Sequence, residues 1–423
     1  MLTRRQYVPL PEWAIPLCYA IAALFAGLAV PRLEHRFLPQ LTSSLNTAVG
    51  LTLLSSITSG MIALTGIVFS LALVMMQFSA VAYSPRLVLW VSRDPIIWHS
   101  IGIFTATFLY AIGAMAWIDR AGSGRVPVVS GWLVILLMLA SVGMLVALIQ
   151  RIGLLQINRM LAFTGNLGRQ VIEDMYPPFE TPSSTAGSHE FPSLAVVQTV
   201  GHSGAPQTLQ GIDVGTLLAL AIRSGGTAEV AVSVGDTLVS GTPMLRLQGG
   251  RDVVEDKIWK KAFRVGQERT FEQDPKYALR LLVDIAIKAL SPAINDPTTA
   301  VQALDQIQDQ LLRLGNRRLE VGAFRDAQGL LRVVVPLPTW DDFLRLAFDE
   351  IRLSGATSVQ VMRRMRALIA DLIATLPPER HRALEHHRKR LNITIARAFA
   401  DEEDKFEASV EDRQGLGTAR ICR

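Results

Sequence analysis

Charged side chains are missing from three long stretches of this 423-residue sequence. No Asp, Glu, Lys or Arg stands between Arg36 and Arg86, and two further uncharged runs cover residues 95–118 and 126–150. A soluble helix keeps charge on its outer face, whereas a helix that crosses the ~30 Å hydrocarbon core of a bilayer needs ~20 apolar residues. The missing charge therefore excludes a wholly water-soluble fold and predicts membrane spans.

Cysteine is also scarce, with only Cys18 and Cys422 near opposite ends of the chain. Two such residues predict neither a metal site nor a disulfide, so no oxidising compartment is indicated. A phosphate-binding glycine loop, a dinucleotide fingerprint, a Gly-x-Ser-x-Gly elbow and a zincin helix are absent from the sequence. Because no nucleophile, base and orienting residue can be grouped, we expect no enzyme activity, no cofactor and no metal. An enzyme of unrecognised type is the alternative.

The apolar runs predict an α-helical polytopic membrane domain over residues 1–176. Its four spans are expected at about 13–30, 48–77, 96–118 and 127–150, with the last continuing as a helix to residue 176. Arg4 and Arg5 ahead of the first run leave a cleaved signal peptide as an alternative. That run lacks a small-x-small cleavage site, and three more spans follow it, so we favour a retained span.

Arginine is unevenly distributed between the two sides of these spans. The flanks that share a side with both chain ends carry more arginine than the two connecting loops on the other side. The positive-inside rule then predicts that both termini are cytoplasmic, with the inverted topology as the alternative. This rule also accounts for the net charge of +5, so we expect a lipid bilayer as a partner and no nucleic acid.

Small and hydroxyl residues recur on one helical face of span two. The face comprises Ser56, Ser59, Gly60, Ala63, Gly66 and Ser70. The simpler interpretation is close helix packing, since small residues let backbones approach. The other interpretation is a pathway in a homo-oligomer, where hydroxyls replace part of the hydration of an ion or small solute. No ionisable side chain lies mid-span to decide between them.

After the spans, the pattern predicts a cytoplasmic α+β region. The expected order is a linker at 177–192, a small β-barrel-like or sandwich-like module at 193–250, a mainly helical module at 251–400 and a disordered tail at 401–423. Within this region, residues 252–265 are expected to be helical. Residues 331–335 are expected to form a lone strand, paired with the segment near 319–324.

Two polar loops are candidate coupling elements between the spans and this region. The first consists of Tyr83, Ser84, Pro85 and Arg86, and the second includes Ser291, Pro292, Asn295, Asp296 and Pro297. In the second loop, Asp296 is predicted to cap a helix whose first residue is Pro297. A cation held by Asn295 and Asp296 is the alternative, although two oxygen ligands are few.

Two runs resemble the bacterial predicted-membrane-protein family known as domain of unknown function 2254. They are Gly66-Ile67-Val68-Phe69-Ser70-Leu71 with Tyr83-Ser84-Pro85-Arg86, and the longer run from Val283 to Ala300. The resemblance covers roughly residues 10–400 and implies an integral protein of the bacterial envelope, without implying an activity or a catalytic residue.

Together these patterns predict a multi-pass protein of the bacterial inner membrane. We expect an oligomeric channel- or transport-like protein with a cytoplasmic gating or sensing domain. The alternative is a membrane-anchored scaffold or signalling protein that recruits a cytosolic partner.

Overall fold

The computed structural model describes residues 13–38, 40, 46–82, 95–121, 126–152, 157–179 and 195–418. Internal contacts divide the chain into two units, Met1–Gln156 and Ile157–Arg423. The boundary follows Gln156, whereas the sequence pattern predicts that the membrane domain ends at residue 176. The segment expected to extend span four therefore belongs with the second unit, because its buried face packs against helices of that unit.

Four helices make up the described part of the first unit. They are α1 (Ala14–Phe37), α2 (Thr47–Ala82), α3 (Pro95–Ala121) and α4 (Val128–Ile152). Each is long and apolar enough to cross a membrane, so the four predicted spans correspond to four candidate membrane helices. α3 packs against the other three helices, and 50% of its span is buried, compared with 17–22% of each of the others. α3 is thus the central helix of this unit.

The first helix continues through Pro31 instead of ending before it. Pro31 cannot donate a hydrogen bond to the carbonyl of Gly27, four residues earlier. At Gly27 the helix also crosses α3 closely. A Cβ on Gly27 would lie 2.6 Å from the Tyr110 carbonyl oxygen, and a Cβ on Gly113 would lie 2.9 Å from the Gly27 backbone. The two backbones can approach this closely because neither glycine has a side chain.

Helices are distributed along the whole described part of the second unit. They are α5 (Ile157–Met175), α6 (Val214–Ser224), α7 (Asp256–Lys260), α8 (Pro275–Ala289), α9 (Pro297–Gly315), α10 (Trp340–Ser354), α11 (Val359–Thr375), α12 (His381–Ala398) and α13 (Glu402–Ala408), with a 3-10 turn at Pro378–Arg380. α5 packs on α8 and α9, these pack on α10 and α11, and α12 packs on that last pair. Four layers of helices result.

Strands in the described part of this unit form two open sheets. They are β1 (Val196–Gly201), β2 (Gln207–Ile212), β3 (Thr227–Val230), β4 (Thr237–Leu238), β5 (Pro243–Gln248), β6 (Phe263–Gly266), β7 (Ala323–Arg325) and β8 (Leu331–Val334). One sheet has the order β1-β5-β3-β8-β7, with only β3 and β8 parallel, and the other has the order β4-β2-β6. No closed barrel is found among the described residues. Leu209 and Leu245, from different sheets, belong to one buried cluster with Trp259.

The region expected to be one helix over 252–265 is divided between two elements. Only Asp256–Lys260 is helical, and Phe263–Gly266 forms β6 beside β2. Trp259 and Phe263 are both buried in the cluster shared by the sheets, so their spacing reflects contacts with strands and not a continuous helical face.

The predicted pairing of the strand at 331–335 is confirmed by β7 and β8. β8 is nevertheless not a lone strand, because it also pairs with β3. The β module therefore extends beyond residues 193–250 and includes segments separated by about a hundred positions, as the pairing of Ala228 with Val333 illustrates.

Much of the tail expected to be disordered packs against α11. The Asp412 carboxylate accepts hydrogen bonds from the backbone N–H groups of Gln414 at 2.8 Å and Gly417 at 2.6 Å. Next to it, Arg413 pairs with Asp371 of α11 at 2.8 Å. The charged residues Asp412 and Arg413, which suggest disorder in the sequence, thus hold a loop against α11. Only residues 419–423 of the tail lie outside the described ranges.

Candidate functional site

The small and hydroxyl face of α2 is exposed in the chain. All six of its predicted members are exposed: Ser56, Ser59, Gly60, Ala63, Gly66 and Ser70. A Cβ added to Gly60 or Gly66 would meet no atom within 4 Å. The structure thus brings the six residues together on one face, as the helical spacing predicts, and packs no described side chain against its two glycines.

The opposite face of α2 makes the contacts within the chain. Met61, Val68 and Ala72 are buried in a cluster with Phe104 of α3 and Leu148 of α4. The small residues are therefore not needed for the packing of α2 on its own chain. Close intrachain packing, which does use glycine where α1 crosses α3, does not explain this face.

Large apolar side chains border the small face. Leu53, Ile62 and Phe69 are each at least half exposed, and Ile67, 64% exposed, lies among the small residues, four positions after Ala63. The small face is consequently a strip of small residues, interrupted by Ile67, on a surface that otherwise suits lipid. A second helix could approach its backbone closely there, and its hydroxyls could also contact water or an ion between helices.

The second candidate coupling loop is a tightly hydrogen-bonded projection between α8 and α9. The Ser291 carbonyl accepts from the N–H of Ile294 at 3.0 Å and of Asn295 at 2.8 Å, and Asp296 N–H donates to Ala289. Asn295 has a φ of 49°, the left-handed region that asparagine tolerates better than most residues. Pro292 to Asn295 are exposed, so this fixed loop presents Ile294 to the surroundings.

Asp296 caps α9 as the sequence predicts. Its Oδ1 accepts from the Thr299 N–H at 3.1 Å and its Oδ2 from the Thr299 hydroxyl at 2.6 Å, with Pro297 at the first helical position. Both carboxylate oxygens are therefore used by the helix, which accounts for Asp296 without a cation. The other candidate loop, Tyr83 to Arg86, lies outside the described residues.

Glu34 is a buried carboxylate that escapes prediction from the sequence. Its Oε1 accepts from the Val129 N–H at 3.0 Å and its Oε2 from the Ser130 N–H at 3.2 Å, at the start of α4. Because a helix N-terminus carries partial positive charge, this contact stabilises the carboxylate and fastens α1 to α4. One feature of the sequence could have pointed to Glu34: acidic residues are rare in this part of the chain, and Glu12 and Glu34 are the only ones before Asp94.

The second unit holds a partly buried ion pair between β6 and α8, in which Asp274 is buried and Arg269 is 26% exposed. Arg269 donates to the Asp274 Oδ2 at 2.8 Å through Nε and at 2.6 Å through Nη2. Burial raises the pKa of Asp274, while the charge of Arg269 opposes that shift. A Cβ on Gly235 would lie 2.6 Å from the same carboxylate oxygen, so this pair fixes the Gly235 turn against the start of α8. Its role is structural.

A cleft of about 340 Å³ lies on the surface where α9, α11 and the tail meet. It is lined by Asp305, Gln308, Leu312, Arg364, Asp371, Thr375 and Arg413. Arg364 is almost completely buried and donates to Asp305 at 2.8 Å. Arg413 pairs with Asp371, and these two hydrogen-bonded pairs balance the charge of the lining, so the cleft favours neither an anion nor a cation.

Comparison with known proteins places these features in a family context. The model of the family described as "Predicted membrane protein (DUF2254)" matches residues 11–371. Uncharacterized protein Mb1321c of Mycobacterium bovis and uncharacterized protein Rv1290c of Mycobacterium tuberculosis are each 28% identical to the chain over 360 residues. Each alignment covers 82% of this chain and 68% of the relative. No solved structure shows a significant match.

Proposed function

Because the chain belongs to the DUF2254 family of predicted membrane proteins, we propose that it acts as an oligomeric channel- or transport-like protein of the bacterial inner membrane. The α2 helices of neighbouring subunits face one another through their small and hydroxyl residues. The second unit lies in the cytoplasm, where it gates the path or senses a ligand, and the protein catalyses no chemical reaction.

One observation carries this proposal. The six small and hydroxyl residues of α2 are exposed, while the contacts of α2 with α3 and α4 use the opposite face. In a bilayer, apolar surface gains nothing by association, so helix pairing depends on close backbone contact and on polar groups. The exposed strip provides both requirements, and the remainder of the helix surface does not.

The chemistry of the strip limits what could pass along it. Its serine hydroxyls can replace part of the hydration shell of an ion or small solute. Its members carry no ionisable group, whereas a proton relay across a membrane is usually built from carboxylates or histidines. The proposed cargo is therefore a small ion or neutral solute.

Leucine substitutions at the two open glycines test the assembly. Gly60→Leu and Gly66→Leu each put a bulky side chain on the strip, so we expect the purified oligomer to disperse, as measured by light scattering in detergent. Gly143→Leu is the matched control, since Gly143 on α4 is also exposed and has no neighbour within 4 Å of its Cβ position. Equal dispersal by all three variants, or by none, would contradict assembly through α2.

Removal of hydroxyls tests the path separately. Ser59→Ala and Ser70→Ala keep the strip small, so we expect an intact oligomer with altered ion flux in reconstituted vesicles. Thr65→Val is the control, because the Thr65 hydroxyl is already bonded to the Met61 carbonyl at 2.7 Å. Wild-type vesicles that pass no common ion or small solute would overturn the channel while leaving the oligomer standing.

An outward basic face on α12 favours a second candidate, a scaffold that recruits an acidic cytosolic protein. Arg382, His386, Lys389 and Arg397 are all exposed along this helix. Cross-linking in cells, with wild type compared with an Arg382→Glu, Lys389→Glu double variant, tests it. The scaffold requires a specific cross-linked protein that the double variant loses.

A further inference from the structure

The cleft where α9, α11 and the tail meet has the size of a small-molecule site. Its volume of about 340 Å³ falls within the range of roughly 300–1,000 Å³ that such sites occupy. Leu312 supplies an apolar side chain to the lining, and the other lining residues are polar or charged. A ligand suited to this space is therefore a small polar molecule with a short apolar part.

Arg364 of α11 lines the cleft from a buried position. The residue is 3% exposed, its Nε donates to the Asp305 Oδ1 at 2.8 Å, and its Nη2 donates to the side-chain oxygen of Gln308. The Arg364 Nη1 has no hydrogen-bond partner among the described residues. A buried donor without an acceptor is unfavourable and rare, so this nitrogen calls for an acceptor that the described chain does not supply.

An unused acceptor belongs to the same charged pair. Asp305 lies on α9, and its side chain is 49% exposed. Its Oδ1 accepts from Arg364, whereas its Oδ2 accepts no hydrogen bond from the described residues. The pair thus retains one open donor on the guanidinium and one open acceptor on the carboxylate.

Asp371 and Arg413 supply the second pair of charges at the cleft. Arg413 donates to the Asp371 Oδ1 at 2.8 Å and to its Oδ2 at 3.1 Å, and Gln308 also donates to that Oδ2 at 3.1 Å. Two guanidiniums and two carboxylates therefore line the cleft, and their charges cancel. A ligand that carries one charge of each sign complements such a lining better than a simple ion does.

We propose that this cleft binds a small zwitterion of the α-amino acid class. The ligand carboxylate pairs with the Arg364 guanidinium, its ammonium group pairs with the Asp305 carboxylate, and Leu312 contacts its side chain. Hydrogen bonds between arginine and a carboxylate are among the strong ones. Because Arg364 and Asp305 already hold each other in place, both charges are positioned before the ligand arrives.

This inference rests on the proposed sensing role of the second unit and gives the sensed ligand a chemical class. Isothermal titration calorimetry on the full-length chain in detergent tests it, with each common L-amino acid titrated in turn. We expect at least one of them to bind at a single site per chain. The N-acetyl amide of that amino acid keeps the side chain and carries neither charge, so we expect no binding. Failure of every amino acid to bind, or equal binding of the amide, would overturn the proposal.

A matched pair of bulky substitutions locates the binding. Thr375 and Ala374 are both exposed near the end of α11, and of the two only Thr375 lines the cleft. Thr375→Trp should therefore abolish the binding heat, whereas Ala374→Trp should leave it unchanged. Equal affinities of the two variants would place the bound amino acid outside the cleft and overturn the proposal.

Two further substitutions test the charges. Asp305→Asn removes the partner of the ammonium group, and Arg364→Lys keeps the charge but removes the planar guanidinium, so each should weaken binding by about tenfold or more. Asp341→Asn, at an exposed position of α10 that does not line the cleft, is the control. Asp305 is half exposed, so its variant decides the outcome if Arg364→Lys does not fold. Wild-type affinity in Asp305→Asn would overturn the proposal.

Calorimetry of this kind requires no flux across a membrane. A chain that binds the amino acid but passes no ion or solute would therefore overturn the channel and leave the zwitterion site standing. A chain that conducts but binds no amino acid would overturn the zwitterion site alone.

Discussion

At the scale of single residues, buried polar groups decide how the second unit responds to pH. His387 on α12 is 3% exposed, and its ring lies 5.3 Å, centroid to centroid, from that of Phe348. The carboxylate of Asp349 stays 3.9 Å from Nδ1, too far for a hydrogen bond. Arg352, Arg390 and His386 also face the ring. Burial lowers the pKa of His387 to about 4, and the carboxylate only partly offsets that effect.

A depressed histidine pKa destabilises the fold in acid. Between pH 6.5 and pH 4 the unfolded chain binds a proton that folded His387 excludes, so the free energy of unfolding falls as the pH falls. A shift of this size corresponds to about 3 kcal/mol at the acid end. We expect His387→Leu to lose less thermal stability than wild type between pH 7 and pH 4, measured by circular dichroism in detergent.

The neighbouring, exposed His386 supplies the control for that measurement. His386→Leu should retain most of the wild-type loss of stability in acid, since the residue is not enclosed by the fold. If His387→Leu and wild type lost stability in parallel, the acid sensitivity would have to arise elsewhere in the chain.

At the scale of elements, the α1–α3 crossing depends on two glycine positions. A Cβ on Gly113 would lie 2.9–3.2 Å from backbone atoms of Gly27 and Leu28, and backbone cannot rotate away as a side chain can. Gly113→Ala should therefore force the helices apart and destabilise the first unit by about 1–3 kcal/mol, the usual range for overpacking. Unfolding in a denaturing detergent measures the change.

The same substitution at an open glycine gives the reference. Gly143→Ala on α4 meets no atom within 4 Å and should be neutral, or stabilising by up to about 1 kcal/mol through helix propensity. Similar unfolding curves for the two variants would show that the close crossing does not limit the stability of this unit.

Elements are predictable from the sequence where one local cause dominates. The helix α9 begins as expected because Asp296 and Pro297 provide both a cap and a suitable first residue. The region 252–265 is not predictable in that way, since Trp259 and Phe263 are positioned by distant strands. Contacts with distant strands decide the structure of this region, and the spacing of its own apolar residues does not reveal those contacts.

At the scale of the molecule, the sequence predicts the spans well and the long-range arrangement poorly. Three uncharged runs mark bilayer helices because a charged side chain that faces lipid is costly. The pairing of β3 with β8, by contrast, joins residues such as Ala228 and Val333, and no local pattern connects them. The exposure of Gly60 and Gly66 is likewise a property of the packed chain, since spacing defines a face but not its neighbours.

Orientation in the membrane is a whole-molecule property that the arginine distribution predicts. We expect both termini on one side because the described residues hold four candidate spans, and the positive-inside rule predicts that this side is the cytoplasm. With Cys18→Ala, Cys422 becomes the only cysteine of the chain. A membrane-impermeant maleimide should therefore leave it unlabelled in spheroplasts and label it in inverted vesicles. Ser43→Cys, placed between the first two spans in a chain without either native cysteine, should give the reverse pattern. Labelling of Cys422 in intact spheroplasts, with Ser43→Cys protected, would invert the topology and move the second unit out of the cytoplasm.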